Sequence, residues 1–355
     1  GPPAPPLGCL AHRYGRRTLL GICVLVWTAG TATCGLAQDY TSLFVGAIGL
    51  GIGEAGVTPI VYGLLPQIVS ARRRVLANGI YTLAAILGAG LGMALSGALV
   101  EALDAARPLL PASLAALPSW RLAFFAVALP GPLLALAVWL IRLHPQRAGV
   151  DAPAALARPA MPAYCRAHGR TMACVFAGSG MLALGLAANA SWAPIVAARV
   201  FGSTPAQTGQ GIGMAYLLGT ACGAVLGAAG AGYLRRRAGL ATPVRVVTIG
   251  AALAALATLL MLATRGPAGL YLLFGVQVAA LIAGSLLVPT LLQDMTPEAL
   301  RSRLIAIGTG VTVGLSAIGP VLVGALSDLL RHDPRGLLQA MVGVAALALG
   351  LAAFL

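Results

Sequence analysis

Apolar residues fall in long, nearly unbroken stretches separated by short polar segments. Ten such stretches, at 18–37, 43–69, 76–103, 120–143, 171–200, 208–234, 246–263, 270–292, 304–330 and 337–355, are each long enough as a helix to cross a hydrocarbon core of about 30 Å. Helices are the expected form, because a chain crossing a bilayer must satisfy its backbone hydrogen bonds internally. Residues 1–10 read as the tail of one further span.

The polar segments alternate in arginine content. Arg13, Arg16 and Arg17 precede the first span, and Arg72, Arg73 and Arg74 follow the second. Arg142, Arg147, Arg158, Arg166 and Arg170 surround the connection after the fourth. Arg235, Arg236 and Arg237 follow the sixth, and Arg301 and Arg303 follow the eighth. The intervening segments hold none or few: Arg107, Arg199, Arg265, then Arg331 with Arg335. The bias of basic residues toward the cytoplasmic side places the first set inside the cell. A Pro- and Ala-rich linker, 144–170, separates two halves and is expected in the cytoplasm.

The two halves repeat. Arg74-Val75-Leu76-Ala77-Asn78-Gly79 opens one span, and Arg303-Leu304-Ile305-Ala306-Ile307-Gly308 opens another; Gly15-Arg16-Arg17 is echoed by Arg235-Arg236-Arg237. Both offsets are roughly 220 to 230 residues, the mark of a duplicated six-span unit. On this count the chain carries a first bundle at 1–143, the linker, and a second bundle at 171–355. Helix one and most of helix two of the first bundle are expected to be missing.

Composition agrees and excludes alternatives. The 355 residues are 59% hydrophobic and only 9% charged, with a mean hydropathy of +0.91, where soluble domains carry about 25% charged residues. The net charge is +14, and all 23 basic residues are Arg. That charge sits in short clusters between apolar spans, not on one solvated face, so it argues against nucleic-acid binding. Without Lys there is no Walker A loop and no Schiff-base lysine within this chain. No His lies in a span and no Cys pair has ligand spacing; a metal, a cofactor or an enzymatic centre is not expected.

Gly8-Cys9-Leu10-Ala11-His12-Arg13-Tyr14-Gly15-Arg16-Arg17 resembles the Gly-x-Leu-Ala-Asp-Arg-x-Gly-Arg-Arg motif of major facilitator transporters. Gly49-Leu50-Gly51-Ile52-Gly53-Glu54-Ala55-Gly56 resembles the Gly-x-Gly-Glu-Ala signature of the spinster-like branch of that superfamily. Trp120-Arg121, Pro130-Gly131, Gly319-Pro320 and Ser327-Asp328 continue the likeness along most of the chain. The resemblance implies an all-α integral membrane protein of two six-helix bundles. It implies a secondary transporter working by alternating access on a small organic or amphipathic solute, lysolipid-like in the nearest branch. A monomer in the plasma (inner) membrane is expected, and protons are the candidate coupling ion that Glu54 suggests. An alternative from another class stays open: a truncated, non-transporting remnant or membrane scaffold of the same family.

Candidate site residues follow. Glu54 is the lone acid near the middle of a span, where an ionisable side chain is costly and points to function. It is read as a proton-coupling group or the partner of the substrate's polar end, against a structural role in helix packing. The branch's usual Arg seven residues earlier is Ala47 here. Asn189, Ser191, Trp192, Gln277, Tyr81 and Tyr216 are the other polar groups at depth. They are read as lining a midplane cavity, against interhelical hydrogen bonding. A cytoplasmic gate is expected from Gly8, His12, Arg13, Gly15, Arg16, Arg17, Arg74, Asp294 and Arg303. His12 stands where the family has Asp, and a His does not replace a carboxylate opposite Arg.

Overall fold

The computed structural model describes residues 15–69, 73–141, 161–238, 242–285, 288 and 298–355. Among them no β-strand occurs, and ten helical stretches are long and apolar enough to cross a membrane. The chain is an all-α, multi-pass membrane protein, as the apolar pattern predicts.

The helices begin and end where local chemistry directs. Gly15, at φ 78°, precedes α1 (Arg16–Leu36), a backbone region that favours glycine. Asp39 caps α2 (Tyr40–Ile68): its carboxylate accepts from the Ser42 backbone N–H at 2.7 Å, while the Ser42 hydroxyl answers the Asp39 N–H at 3.2 Å. These bonds satisfy donors that a helix start leaves orphaned. The Ser42 N–H, with help from its hydroxyl, holds the Asp39 carboxyl below the usual carboxylate range. The cap is therefore fully ionised at neutral pH and lost only as pH falls through that lowered value.

α3 (Arg74–Ala105) leads through a short 3-10 turn and α4 (Ala112–Ala115) to α5 (Ser119–Ala128) and α6 (Gly131–Leu140). The fourth expected span is therefore two helices joined at Leu129 and Pro130, because a proline has no N–H for the helix ladder and clashes with the preceding turn. The 106–118 connection is tied by Arg107, which donates to Asp104 at 2.9 Å, to the Ser119 hydroxyl at 2.7 Å and to the Ala115 carbonyl at 3.0 Å.

α7 (Met161–Phe201), α8 (Pro205–Ala238), α9 (Thr242–Leu260), α10 (Pro267–Ser285), α11 (Glu298–Leu329) and α12 (Gly336–Phe354) follow. α7 differs from the expected start at 171. Ten residues assigned to the linker, 161–170, are already helical. Arg166 and Arg170 are good helix formers, and the apolar helical stretch itself reaches back to Arg166, five residues before the expected start. Pro194 and Pro320 lie inside α7 and α11, as membrane helices tolerate.

The helices form two compact units, residues 1–85 with 98–152, and residues 86–97 with 153–355. In the first, α1 is the hub and packs on α2, α5 and α6. Leu19, Leu20 and Cys23 of α1 meet Ile60 and Leu64 of α2 in a buried cluster. Arg121 at the start of α5 donates to the Ala37 carbonyl beyond α1 and lies 5.2 Å over the Trp120 ring. In the second, α7 packs on α11, α12 and α10, and α8 on α10. Its core gathers Ala193, Val196 and Ala197 of α7, Phe274 and Val278 of α10, and Met341 and Ala345 of α12.

Candidate functional site

In the first unit Glu54, Thr58 and Tyr81 lie on α2 and α3. Glu54 lies midway along α2, one turn before Thr58 and so on the same face. The Thr58 hydroxyl and the Tyr81 hydroxyl of α3 are 3.2 Å apart and hydrogen-bonded. Glu54 and Thr58 are exposed and Tyr81 is half-buried. The side chain is not buried among helices, as a mid-span position suggests. The reason is local: Gly53 takes the contact with α1, and the next residue is turned about 100° away. Sequence reasoning picked out Glu54 and Tyr81 but missed Thr58, whose signal was its i+4 spacing from Glu54.

In the second unit Asn189 and Gln277 are fully buried and bond to each other. Asn189 Nδ2 donates to Gln277 Oε1 at 2.8 Å, with Thr258 Oγ1 at 3.4 Å. Thr258 donates in turn to the Ala254 carbonyl at 2.8 Å. This joins α7, α10 and α9 through a polar knot set in an apolar core. Asn189 Oδ1 and Gln277 Nε2 have no partner among the described residues. Trp192 donates through Nε1 to the Pro320 carbonyl of α11 at 2.9 Å. Ser191 is exposed, and Tyr216 packs against the core. Asn189 and Gln277 thus reach no surface, while Ser191 is exposed and Trp192 and Tyr216 are half-buried. Successive residues of one helix turn to different sides, and the two amides face inward because each finds a partner there. Thr258, missed in the sequence, completes the knot.

This knot gives a stability prediction. Gln277→Leu removes the Asn189 partner and leaves a buried amide poorly bonded, and is expected to cost about 1–2 kcal/mol. The double change Asn189→Leu with Gln277→Leu is expected to cost less than the two single changes added. Thermal unfolding of the four proteins in one detergent checks this. A strictly additive result would mean the pair does not clamp the helices.

The expected gate residues divide. Gly15 caps α1. Arg17 donates to the Ile141 carbonyl at 3.1 Å, placing a cation on the C-terminal end of α6, where the helix dipole favours it. Arg16 sits in the first turn of α1, Arg74 opens α3 and Arg303 lies in α11. Gly8, His12, Arg13 and Asp294 lie outside the described residues. Among the described residues no group of His, Cys, Asp and Glu has the makings of a metal site.

Comparison with known proteins extends this picture. The "Probable 4-methylmuconolactone transporter" of Cupriavidus pinatubonensis is 29% identical over 182 residues, 51% of this chain and 39% of that one. The "MFS-type efflux transporter pyiT" of Pyricularia grisea is 35% identical over 97 residues, 27% of this chain and 16% of that one. The matches therefore span well under half the length of these relatives. A bacterial homolog to the human lysosomal transporter Spinster, solved inward-facing and unoccupied, superposes with a TM-score of 0.78. That match covers 98% of this chain and 85% of the other at 20% identity, a likeness of fold. The family profile described as Major Facilitator Superfamily runs over residues 4–320. With most of its length matched in this way, the chain belongs to the Major Facilitator Superfamily.

Proposed function

We propose that the chain is the membrane body of a secondary transporter of the spinster-like branch. It moves a small organic or amphipathic solute, lysolipid-like in its simplest form, by alternating access in the plasma membrane, as a monomer. The observation that carries this reading is the Glu54–Thr58–Tyr81 face. Glu54 stands one turn from Thr58, whose hydroxyl bonds that of Tyr81 across α2 and α3, and Glu54 is the one acid of α2. An ionisable side chain at bilayer depth is retained where it serves a solute or ion path. Glu54 takes the proton or the solute's polar end, and Thr58 and Tyr81 supply hydrogen bonds beside it. The relatives named as transporters support the same class of activity.

The test is reconstitution of the full chain in proteoliposomes under an imposed pH gradient. Labelled lysophospholipid and small organic acids are offered in turn. Uptake of one of them above protein-free vesicles, collapsing with a protonophore, is expected. Correctly folded protein that moves none of them in either direction would overturn the proposal in favour of a non-transporting scaffold.

A further inference from the structure

The second unit carries a groove of about 620 Å³ between α8, α9 and α10, within the size range of ligand clefts. Its wall is hydrocarbon: Leu226 of α8, Ile249, Leu253 and Leu256 of α9 and Val276 of α10 line it and are exposed. Apart from the Cys222 thiol, no lining side chain carries a polar group. A polar solute gains nothing there, whereas an acyl chain loses no hydrogen bond on entering. The lining residues of α9 run from Val246 to Leu260, about 21 Å of helix, which is more than one leaflet of a hydrocarbon core of about 30 Å.

One end of this groove carries an arginine, Arg245. Arg245 precedes Ile249 by one turn and shares the face that Ile249, Leu253 and Leu256 present to the groove. Arg245 is exposed. A side chain at a helix start leans toward the N-terminus, so its guanidinium reaches past the hydrocarbon to headgroup level, as long cationic side chains do. Arg235, Arg236 and Arg237 close α8 at the same end of the helix pair. An apolar trough with Arg245 at one end matches an amphiphile with an acyl tail and an anionic head.

We infer that this groove holds one anionic phospholipid of the surrounding bilayer, its acyl chain along α9 and its phosphate at Arg245. The site is separate from the Glu54 face, lies wholly within the second unit and does not rest on the transport reading. A bound lipid here wedges between α8, α9 and α10 and makes the stability of the unit depend on lipid class.

The experiment needs no transport assay. The full chain is placed in nanodiscs of mixed phosphatidylglycerol and phosphatidylethanolamine, extracted, and weighed intact by native mass spectrometry. Retention of phosphatidylglycerol over phosphatidylethanolamine is expected. Arg245→Gln is expected to lower that preference about fivefold while a lipid is still retained. Gly230→Leu points a side chain into open groove, since nothing lies within 4 Å of its Cβ position, and is expected to lower retention of both lipids. Where Gly230→Leu fails to fold, the native protein decides: Cys222 on the groove wall should react more slowly with maleimide when phosphatidylglycerol is bound. Retention without class preference, or an Arg245→Gln protein indistinguishable from the native one, would overturn the inference. So would protection of Cys222 that tracks dimer formation in place of lipid, which would make a second copy of the chain the occupant.

Discussion

Glu54→Gln is expected to abolish pH-gradient-driven uptake, by at least about tenfold, while the protein folds and still exchanges solute in counterflow. The substitution keeps the size of the side chain and its capacity for hydrogen bonding, and removes only its ability to gain and lose a proton. The position is suited to such a role. Glu54 lies midway along α2, exposed, one turn from the Thr58–Tyr81 hydrogen bond. Position 47, where the resemblance to the spinster-like branch implies an Arg partner, is Ala. Counterflow needs only the loaded carrier to reorient, with no net proton movement, so it separates coupling from binding. Vesicles containing Glu54→Gln with undiminished pH-driven uptake would remove the coupling role. Loss of both modes in a well-folded protein would assign Glu54 to the solute, and loss of the fold itself would assign it to packing.

The spans were legible because hydrocarbon imposes a minimum apolar length and arginine does not cross it. Both signals are local in sequence. What lay beyond them depended on contacts that sequence spacing does not reveal. The helix before Thr171 carries Arg166 and Arg170, charges that set the expected start of the span too late, since the apolar helical stretch begins at Arg166. Asn189 and Gln277 stand on different spans, 88 residues apart. Their pairing turns two apparent cavity groups into a buried clamp. Glu54 was legible as a lone acid, but its exposure was not. Which face of α2 meets α1 is decided by where glycines let the backbones touch. That stripe was present in the sequence at 46, 49 and 53, beside Gly51, which makes no such contact.

The glycines of α2 provide the sharpest structural test, because neighbours one turn-fraction apart are predicted to behave oppositely. A Cβ at Gly53 would lie 2.4 Å from the Trp27 backbone nitrogen and 2.7 Å from the Cys23 carbonyl oxygen. A Cβ at Gly30 of α1 would lie 2.3 Å from the Leu50 nitrogen. These obstacles are backbone, so no rotamer change relieves them, and the helices must separate. Small residues that allow such close approach are a main source of helix association in membranes. Overpacking of this kind costs about 1–3 kcal/mol or more, against marginal total stability. Gly53→Ala is therefore expected to lower the thermal unfolding midpoint sharply, and Gly53→Leu to prevent recovery of folded protein. Gly51, two residues earlier, has nothing within 4 Å of its Cβ position, and Gly51→Ala is expected to leave the midpoint unchanged or slightly raised through helix propensity. The pair shares one helix and one chemical change, so only the α1 contact distinguishes them. Equal midpoints for the two alanine variants would mean that α1 and α2 do not touch through Gly53. In that case nothing would turn Glu54 outward, and the site built on its exposure would fall with the contact.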